Sequence, residues 1–309
     1  MNSPQVSIIM ATYNRAHFIE ETLVSIQNQT FKDWECLIID DGGSDNTEEV
    51  VSSIIKQDGR IKFLKRPTFH KKGLPGCRNY GIGNAKGDYI IFFDDDDIVH
   101  PLNLELCITA LNNQEVQYCR YKRVAFYGAF DYKFDLNRNF KTKILGLGTE
   151  KKMITGEIPF NSCAVMWRSS CFDSELFNEN LMHAEEWECY SRILMQDIKG
   201  LSLDKVLFFG RKHSASNTGE YFNKNPKRVQ SKVLAAKLII NELAKKGRLD
   251  NAMATYFLGL SKHLNQPLLI EEINKNEKIS IRVKKYFNKR NKYFSLYLMA
   301  YKIKKNIKR

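Results

Sequence analysis

Four consecutive aspartates, Asp94–Asp97, directly follow the apolar run Tyr89–Phe93. Carboxylates held this closely raise one another's pKa unless a cation neutralises them. Mg²⁺ and Mn²⁺ prefer oxygen ligands and commonly share their coordination with substrate phosphates. The run therefore favours a divalent-metal site for a phosphorylated ligand. A solvated acidic loop, or carboxylates that cap a helix ahead of Pro101, would give the same pattern.

A second acidic pair, Asp40 and Asp41, follows the apolar residues 36–39. Just beyond it, Asp45 and Glu48 have the spacing of a capping box at a helix start. Short apolar runs alternate with helical patterns through the first hundred residues, which predicts βαβ units and a parallel sheet covered on both faces. Ligands of such sheets bind beyond the carboxyl ends of the strands. Both acidic clusters are expected at that edge.

The later elements are less regular. The patterns predict strands over 118–127, 162–167 and 206–209 and helices over 101–111 and 185–195. From residue 225 onward the pattern is helical.

Charge is distributed unevenly along the chain. The 309 residues carry a formal net charge of +13. Residues 1–220 contain 26 Lys and Arg against 30 Asp and Glu, whereas residues 221–309 contain 22 against 5. An acidic part with catalytic character is therefore followed by a strongly basic tail, and the two need separate explanations.

Composition and motifs disfavour several classes of protein. A hydrophobic content of 43% predicts a packed core. No apolar run approaches the roughly 18 residues that cross a bilayer, and the N-terminus lacks signal-peptide features. The seven cysteines are scattered without C-x-x-C spacing, which predicts reduced, mostly buried thiols. Since a GxxxxGK[ST] loop is also lacking, P-loop chemistry is disfavoured. We expect a cytoplasmic protein.

Five segments between about residues 4 and 101 resemble family 2 glycosyltransferases, in the same order. They are MATYNR at 10–15, SIQNQTF at 25–31, DDGGSDNT at 40–47, CRNYG at 77–81 and AKGDYIIFFDDDD at 85–97. Ala11 stands where the family commonly has Pro, and Gly43-Ser44 where it commonly has Ser-Thr. Both departures keep the spacing.

The resemblance implies the α/β GT-A fold, with a Rossmann-like, mostly parallel central sheet flanked by helices and, here, a helical C-terminal extension. We expect a glycosyltransferase domain at 1–220, with a nucleotide-binding half at 1–100 and an acceptor half at 101–220, and a basic helical region at 221–309. The implied activity is metal-dependent, inverting transfer from a nucleotide-sugar donor, expected to be UDP-linked, to a saccharide or lipid-linked acceptor in surface-glycan biosynthesis.

The resemblance also assigns roles to residues that bind the donor. Asp41 would accept hydrogen bonds from the base, and Thr12 and Tyr13 would line the nucleotide pocket. Arg78 would lie near the diphosphate, where a guanidinium binds two oxygens at once. The DxD motif would supply the remaining contacts: Asp96 is the leading ligand for Mn²⁺ or Mg²⁺, with Asp94, which also contacts the donor, and Asp95 or Asp97 would orient the ribose or cap the next helix.

A catalytic base is expected in the segment 184–192. In the family, an acidic pair opens a helix with an arginine several residues on, and the second acid is the base. Glu186 occupies that position, where the family more often has Asp, and the extra methylene moves the carboxylate. Alternatively, Glu185, Glu186 and Glu188 simply complement the dipole at a helix N-terminus.

Three further side chains have two interpretations each. His213 follows the last apolar strand, where some relatives bring a histidine to the metal or the diphosphate. A structural hydrogen-bonding role would explain it equally. Trp167 and Trp187 would either stack on an acceptor sugar or pack in the core.

The basic tail predicts an anionic surface as partner. If its last stretch is helical, one face carries the apolar residues Leu296, Met299, Ile303 and Ile307, with lysines elsewhere. Such a helix suits peripheral docking to the inner face of the cytoplasmic membrane, which a lipid-linked acceptor would make useful. The alternative is a tail packed on the domain. Nucleic-acid binding is not expected, because no recognition motif is present.

Two other functions remain open from the sequence alone. A catalytically silent nucleotide-sugar-binding or membrane-binding protein would have the same fold. An α/β nucleotidyltransferase or NTP-binding protein is the other, although sugar activation usually needs a basic glycine-rich loop near the N-terminus, which this sequence lacks.

Overall fold

The computed structural model describes residues 3–212, 221, 223–294 and 296. Contacts between Cα atoms divide the chain into two compact units, residues 1–228 and residues 229–309. The candidate ligand His213 and the tail positions Met299, Ile303 and Ile307 lie outside the described residues.

The first unit is built on a nine-stranded sheet with the order β3-β2-β1-β4-β8-β6-β9-β5, in which β7 also pairs with β9. The strands are β1 (Val6–Thr12), β2 (Trp34–Asp40), β3 (Ile61–Lys65), β4 (Tyr89–Asp94), β5 (Ile98–Val99), β6 (Tyr118–Tyr127), β7 (Thr142–Leu145), β8 (Val165–Arg168) and β9 (Gly200–Lys212). The first four strands are parallel, and β8 runs antiparallel to both of its neighbours, β4 and β6.

Six α-helices lie wholly within the described residues of this unit. They are α1 (Ile19–Gln27), α2 (Thr47–Ile55), α3 (Leu74–Asn84), α4 (Asn103–Asn112), α5 (Thr149–Ile154) and α6 (Glu185–Leu194). The central strands β1, β2 and β4 are almost completely buried, as strands with both faces covered must be.

The parallel register brings three strand ends to one edge of the sheet. Thr12 pairs with Asp40, and Ala11 pairs with Asp94. The side chains that follow these strands therefore share one edge, as the sequence predicts.

Two local predictions are wrong. The segment predicted as a strand over 162–167 begins with a 3₁₀ turn at Ser162–Ala164, and β8 starts only at Val165. The predicted capping box does not form, because the Asp45 backbone N–H donates to Asn14 Oδ1 and Glu48 pairs with Lys65. Asp45 instead accepts from Thr47.

The second unit contains most of α7 (Pro226–Lys245), together with α8 (Asn251–Leu264), α9 (Leu268–Lys275) and α10 (Ile281–Lys292). Helix α8 packs against α9 and α10, with Phe257, Ile273 and Phe287 fully buried. None of the helices in the described ranges has both the length and the apolar character needed to span a membrane.

A buried carboxylate joins three strands of the first unit. Glu35 on β2 accepts hydrogen bonds from Ser7 Oγ at 2.8 Å, Lys62 Nζ at 2.7 Å and the Lys86 backbone N–H at 2.9 Å. Burial alone would raise the pKa of Glu35, but these donors outweigh it and hold the pKa below its ordinary value.

We predict that Glu35→Gln lowers the free energy of unfolding at pH 7 by about 1–3 kcal/mol, the cost of disturbing hydrogen bonds to a buried charge. Because the pKa is lowered in the folded state, the stabilisation is complete above the unfolded pKa and is lost as the pH falls through the folded one. Urea unfolding should therefore show wild type and variant converging below about pH 4.5. Glu115→Gln, at an exposed position, is the control, and a pH-independent difference would contradict the assignment.

Candidate active site

A cavity of about 580 Å³ opens at the carboxyl ends of β1 and β2. We call it the Asp41 cleft. It is lined by Ala11, Thr12, Tyr13, Arg15, Asp41, Lys72, Gly73, Leu74, Pro75, Cys77, Asp95, Met182 and Arg228. Three residues predicted to contact a nucleotide, namely Thr12, Tyr13 and Asp41, thus line one cavity.

Asp41 is held in place from one side of the cleft. Its carboxylate accepts from Arg66 Nε at 2.6 Å and from the Gly73 backbone N–H at 2.9 Å. On the same side, Lys72 Nζ lies 4.3 Å from the centre of the Tyr13 ring, within the range of a cation–π contact. The loop 66–73 therefore fixes both the acidic and the aromatic wall of the cleft.

The loop 66–73 is anchored by a residue that the sequence did not single out. Glu179 lies 2.6 Å from His70 Nδ1 and accepts from the Lys71 backbone N–H at 2.7 Å and from Asn79 Nδ2 at 2.9 Å. His70 and Glu179 are 109 positions apart. No local pattern could have linked them.

A second cavity of about 200 Å³ adjoins the cleft and shares Ala11, Arg15, Leu74, Asp95 and Met182 with it. We call it the acidic cavity. Six carboxylates line it, from Asp94–Asp97, Glu185 and Glu186. Five basic side chains also reach it, from Arg15, Arg78, Arg123, Arg211 and Lys212. The structure thus brings the aspartate run and the candidate base Glu186 into one site.

The aspartates perturb one another as their spacing predicts. Desolvation and the neighbouring Asp96 raise the pKa of Asp94, and Arg78 opposes them. Burial raises the pKa of Asp95 to about 7, although Arg15 lies 3.4 Å away. Burial, Asp94 and Asp96 raise the pKa of Asp97 well above its usual range. The cluster is therefore costly to ionise fully without a cation.

Arg78 connects the aspartates to helix α6. Its buried guanidinium donates to Glu185 Oε1 at 3.0 Å and to Ser162 Oγ at 3.1 Å, and it lies 3.7 Å from Asp94. Its immediate partners are thus two carboxylates and one hydroxyl of the cavity wall.

The two acids that open α6 differ in environment. Glu185 is buried against Arg78, and burial together with Glu186 raises its pKa to about 8. Glu186 is only partly buried and lines the acidic cavity. Geometry therefore leaves Glu186, of the two, open to a ligand.

Arg211 on β9 also lines the acidic cavity. Its backbone N–H donates to Asp97 Oδ1 at 2.7 Å, and its Nε donates to the Asp96 carbonyl at 2.9 Å. The remaining guanidinium nitrogens bind the Gly128 carbonyl and Glu21. This arginine holds the aspartate turn against β9 and α1.

The donor set fits a hard divalent cation. Ligand atoms of Asp94, Asp97 and Cys163 lie within 4.8 Å of one another, and Asp96 lines the same cavity. Carboxylate oxygens suit Mg²⁺ and Mn²⁺, whereas a thiol is a soft ligand. Burial also raises the pKa of Cys163 well above its usual range, which disfavours the thiolate. We therefore expect the aspartates, without Cys163, to hold such an ion.

Neither tryptophan proposed for acceptor stacking is open to a ligand. Trp167 is completely buried among Tyr118, Phe160 and Tyr190. Trp187 is also buried, and its indole N–H donates to the Ile154 carbonyl at 3.1 Å. Both residues belong to the core, because their burial leaves no ring face for a sugar.

The sheet is mixed, a turn of aspartates follows β4, and a cleft lies at the carboxyl edge of the sheet. Together these features define the class of GT-A glycosyltransferases. The model of the family described as "Glycosyl transferase family 2" matches residues 7–176, more than half of the chain. The chain belongs to glycosyltransferase family 2, which confirms the resemblance identified from the sequence.

Curated relatives carry glycosyltransferase names. A GalNAc(5)-diNAcBac-PP-undecaprenol beta-1,3-glucosyltransferase from Campylobacter jejuni is 43% identical over 94 residues, 30% of each chain. An uncharacterised glycosyltransferase from Rickettsia felis is 32% identical over 222 residues, 71% of this chain and 35% of that protein. The chain thus spans about a third of the length of these two. The Escherichia coli UDP-Glc:alpha-D-GlcNAc-diphosphoundecaprenol beta-1,3-glucosyltransferase WfgD is 28% identical over 266 residues, 85% of this chain and 96% of WfgD.

Solved structures share the fold. Staphylococcus aureus TarS 1–349 in complex with UDP-GlcNAc superposes with a TM-score of 0.67 at 18% identity, covering 90% of this chain and 82% of that one. The Pyrobaculum calidifontis mannosyltransferase PcManGT, in complex with GDP-Man and Mn²⁺, gives 0.58 at 15% identity, covering 88% and 73%. At these identities the likeness establishes the fold alone. The GT-A fold class is confirmed.

We predict that Asp96→Asn changes stability in opposite directions with and without metal. Without metal, the variant should be more stable than the wild type, since Asp96 raises the pKa of Asp94 by repulsion. With Mn²⁺ at 100 times its Kd, the wild type should gain about 2.7 kcal/mol, and the variant should gain much less. Thermal unfolding measures both effects.

The matched control is Asp131→Asn, an exposed aspartate outside the cavity. It removes the same charge and should respond to Mn²⁺ like the wild type. An undiminished Mn²⁺ response in Asp96→Asn would remove Asp96 from the ligand set.

Proposed function

We propose that this protein transfers a sugar from a UDP-sugar to a hydroxyl of a lipid-linked acceptor, with inversion at the anomeric carbon and with a divalent metal. One observation carries the proposal: Glu186 and the run Asp94–Asp97 line a single cavity that adjoins the Asp41 cleft. A candidate base, candidate metal ligands and a cleft for the nucleotide thus lie next to one another, which supports glycosyl transfer.

The donor nucleotide would occupy the Asp41 cleft. The fixed carboxylate of Asp41 would accept hydrogen bonds from the base, and the Tyr13 ring and Thr12 would form neighbouring walls. Uridine is the favoured base because WfgD is named for UDP-Glc and the TarS complex contains UDP-GlcNAc. The donor diphosphate would then extend past Asp95, which lines both cavities.

The cation would be held by Asp96 and Asp94, with Asp97 as a neighbouring carboxylate. The Mn²⁺ in the PcManGT complex supports a metal of this kind. When bound, the ion would neutralise the charge that develops on the leaving diphosphate. Arg78, buried beside Asp94, would keep that carboxylate in position.

Glu186 would act as the general base. Its carboxylate takes the proton of the acceptor hydroxyl while that oxygen attacks the anomeric carbon. The bond from the anomeric carbon to the diphosphate oxygen breaks, and its electron pair leaves with UDP. Attack opposite the leaving group inverts the configuration. Glu185 is unsuited to the role because it is buried and its carboxylate accepts a hydrogen bond from Arg78.

The acceptor is proposed to be lipid-linked because the Campylobacter relative and WfgD are both named for undecaprenol-bound glycans. Helix α10 supports attachment at the inner face of the cytoplasmic membrane. Exposed residues recur every three or four positions along this helix, at Ile281, Lys285 and Lys289, and just beyond its end, at Tyr293 and Leu296. Cationic and apolar groups on one face suit an anionic bilayer, at about 1 kcal/mol per close lysine. The division of residues 1–220 into a nucleotide-binding half (1–100) and an acceptor half (101–220) is also part of this proposal.

We predict that Glu186→Gln lowers kcat by about 10²- to 10⁴-fold, the usual contribution of a positioned base. The side chain keeps its size, so the Kd for UDP should stay at the wild-type value. Transfer to a lipid-linked acceptor and calorimetric titration of UDP measure the two quantities.

Glu186→Asp is the matched variant, since it keeps the carboxylate and shortens it by one methylene. It should retain more activity than Glu186→Gln. Near-wild-type turnover by Glu186→Gln with UDP still bound would refute the assignment of the base.

We further predict that, with Mn²⁺ present, UDP raises the melting temperature more than GDP, CMP or dTDP does. Asp41→Asn should weaken UDP binding about tenfold, the effect of weakening one hydrogen bond to a charged group. A screen of the four nucleotides against both proteins tests this. Equal stabilisation by all four would argue against base recognition by Asp41. Donor binding without transfer to any acceptor would instead favour a catalytically silent nucleotide-sugar-binding protein.

A further inference from the structure

The basic side chains of the acidic cavity differ in how fully they are engaged. Arg15 pairs with Asp95, and Arg78 donates to Glu185 and Ser162. The Arg211 guanidinium is bound to backbone carbonyls and to Glu21. The guanidinium groups of these three arginines thus already have partners within the protein.

Arg123 on β6 is the exception. Its side chain lines the acidic cavity but forms no hydrogen bond or ion pair with any residue in the described ranges. Burial lowers the pKa of Arg123, but Cys163 and the nearby aspartates outweigh it and raise that pKa from a longer distance. Its Nε is completely buried and without a partner. A buried N–H group without an acceptor costs free energy in the absence of a ligand. The arrangement is therefore expected where a ligand supplies the missing acceptors.

Gly210 on β9 makes the space that Arg123 occupies. A Cβ atom at position 210 would lie 1.9 Å from Arg123 Nη2 and 2.9 Å from its Cζ. Any side chain there would push the guanidinium away. The position of Arg123 thus depends on a glycine in the neighbouring strand.

The location of Arg123 points to the acceptor side. It lines the acidic cavity but not the Asp41 cleft. Lys212, at the end of β9, lines the same cavity and also forms no side-chain bond within the described part of the chain. Two cations that form no side-chain hydrogen bond or ion pair in the described residues thus lie outside the cleft proposed for the donor base.

We propose that Arg123 and Lys212 form an anion subsite for the diphosphate of the lipid-linked acceptor. The inference rests on the proposed function and adds the chemical group that the enzyme would recognise. A guanidinium binds phosphate oxygens in a bidentate manner, and an ammonium adds a point charge. Where the acceptor sugar is attached directly to the diphosphate, this subsite would hold the hydroxyl of that sugar near Glu186.

The test compares two acceptors that carry the same sugar. One is a short-chain diphospholipid glycoside, and the other is an alkyl glycoside without phosphate. Arg123→Gln should lower the ratio of kcat/KM for the first to kcat/KM for the second by about 10- to 100-fold, the loss of hydrogen bonds to a charged group. The Kd for UDP, measured by calorimetry, should remain that of the wild type.

Two further variants locate the effect. Lys122→Gln removes an exposed cation from the same strand, one that pairs with Asp204 outside the cavity, and should leave the ratio unchanged. Gly210→Ala keeps Arg123 but displaces its guanidinium, and should lower the ratio in the same direction. Thermal unfolding of each variant shows whether the fold is intact.

Other results would overturn the inference. An equal loss on both acceptors would assign Arg123 to packing or catalysis. A weaker Kd for UDP with an unchanged ratio would assign it to the donor diphosphate. If the wild type transferred sugar to neither acceptor, the proposed function itself would fail, and the subsite would fail with it.

Discussion

The repulsion among six carboxylates around one small cavity is the constraint on which the site depends. Asp94–Asp97 are joined there by Glu185 and Glu186. Burial, together with the neighbouring carboxylates, raises the pKa of Asp95 and of Glu185, so this cluster is costly to ionise fully. Arg78 offsets part of the charge from a buried position, and a divalent cation would offset more. In the proposed reaction, the cation that this charge density would hold neutralises the leaving diphosphate.

The sheet topology explains how these groups meet. Parallel strands bring Thr12, Asp40 and Asp94 to one edge, where α/β proteins bind their ligands. Beyond β4, the antiparallel strand β8 brings the second part of the chain back alongside it. Helix α6 can then present Glu186 opposite the aspartates. The Asp41 cleft and the acidic cavity thus share residues from both parts of the chain, among them Ala11, Asp95 and Met182.

The sequence predicted the parts of this site that local patterns encode. Strand β4 and the aspartates that follow it were visible because an apolar run ended in acids. The anchor of the loop 66–73 was not visible, because Glu179 meets His70 only in the folded chain. Arg123 was likewise not singled out, because the space for its guanidinium depends on a glycine in another strand. The burial of Trp167 decides that this residue packs in the core and does not contact a ligand. A single sequence does not reveal that burial.

The stereochemistry of the transferred sugar tests the central claim most directly. Direct displacement, with Glu186 as base and no covalent intermediate, requires inversion. Proton NMR of the product formed from an α-linked UDP-sugar should show the coupling constant of a β-anomer from the earliest time points. A product that retains the α-configuration would require a different role for Glu186 and would contradict the mechanism.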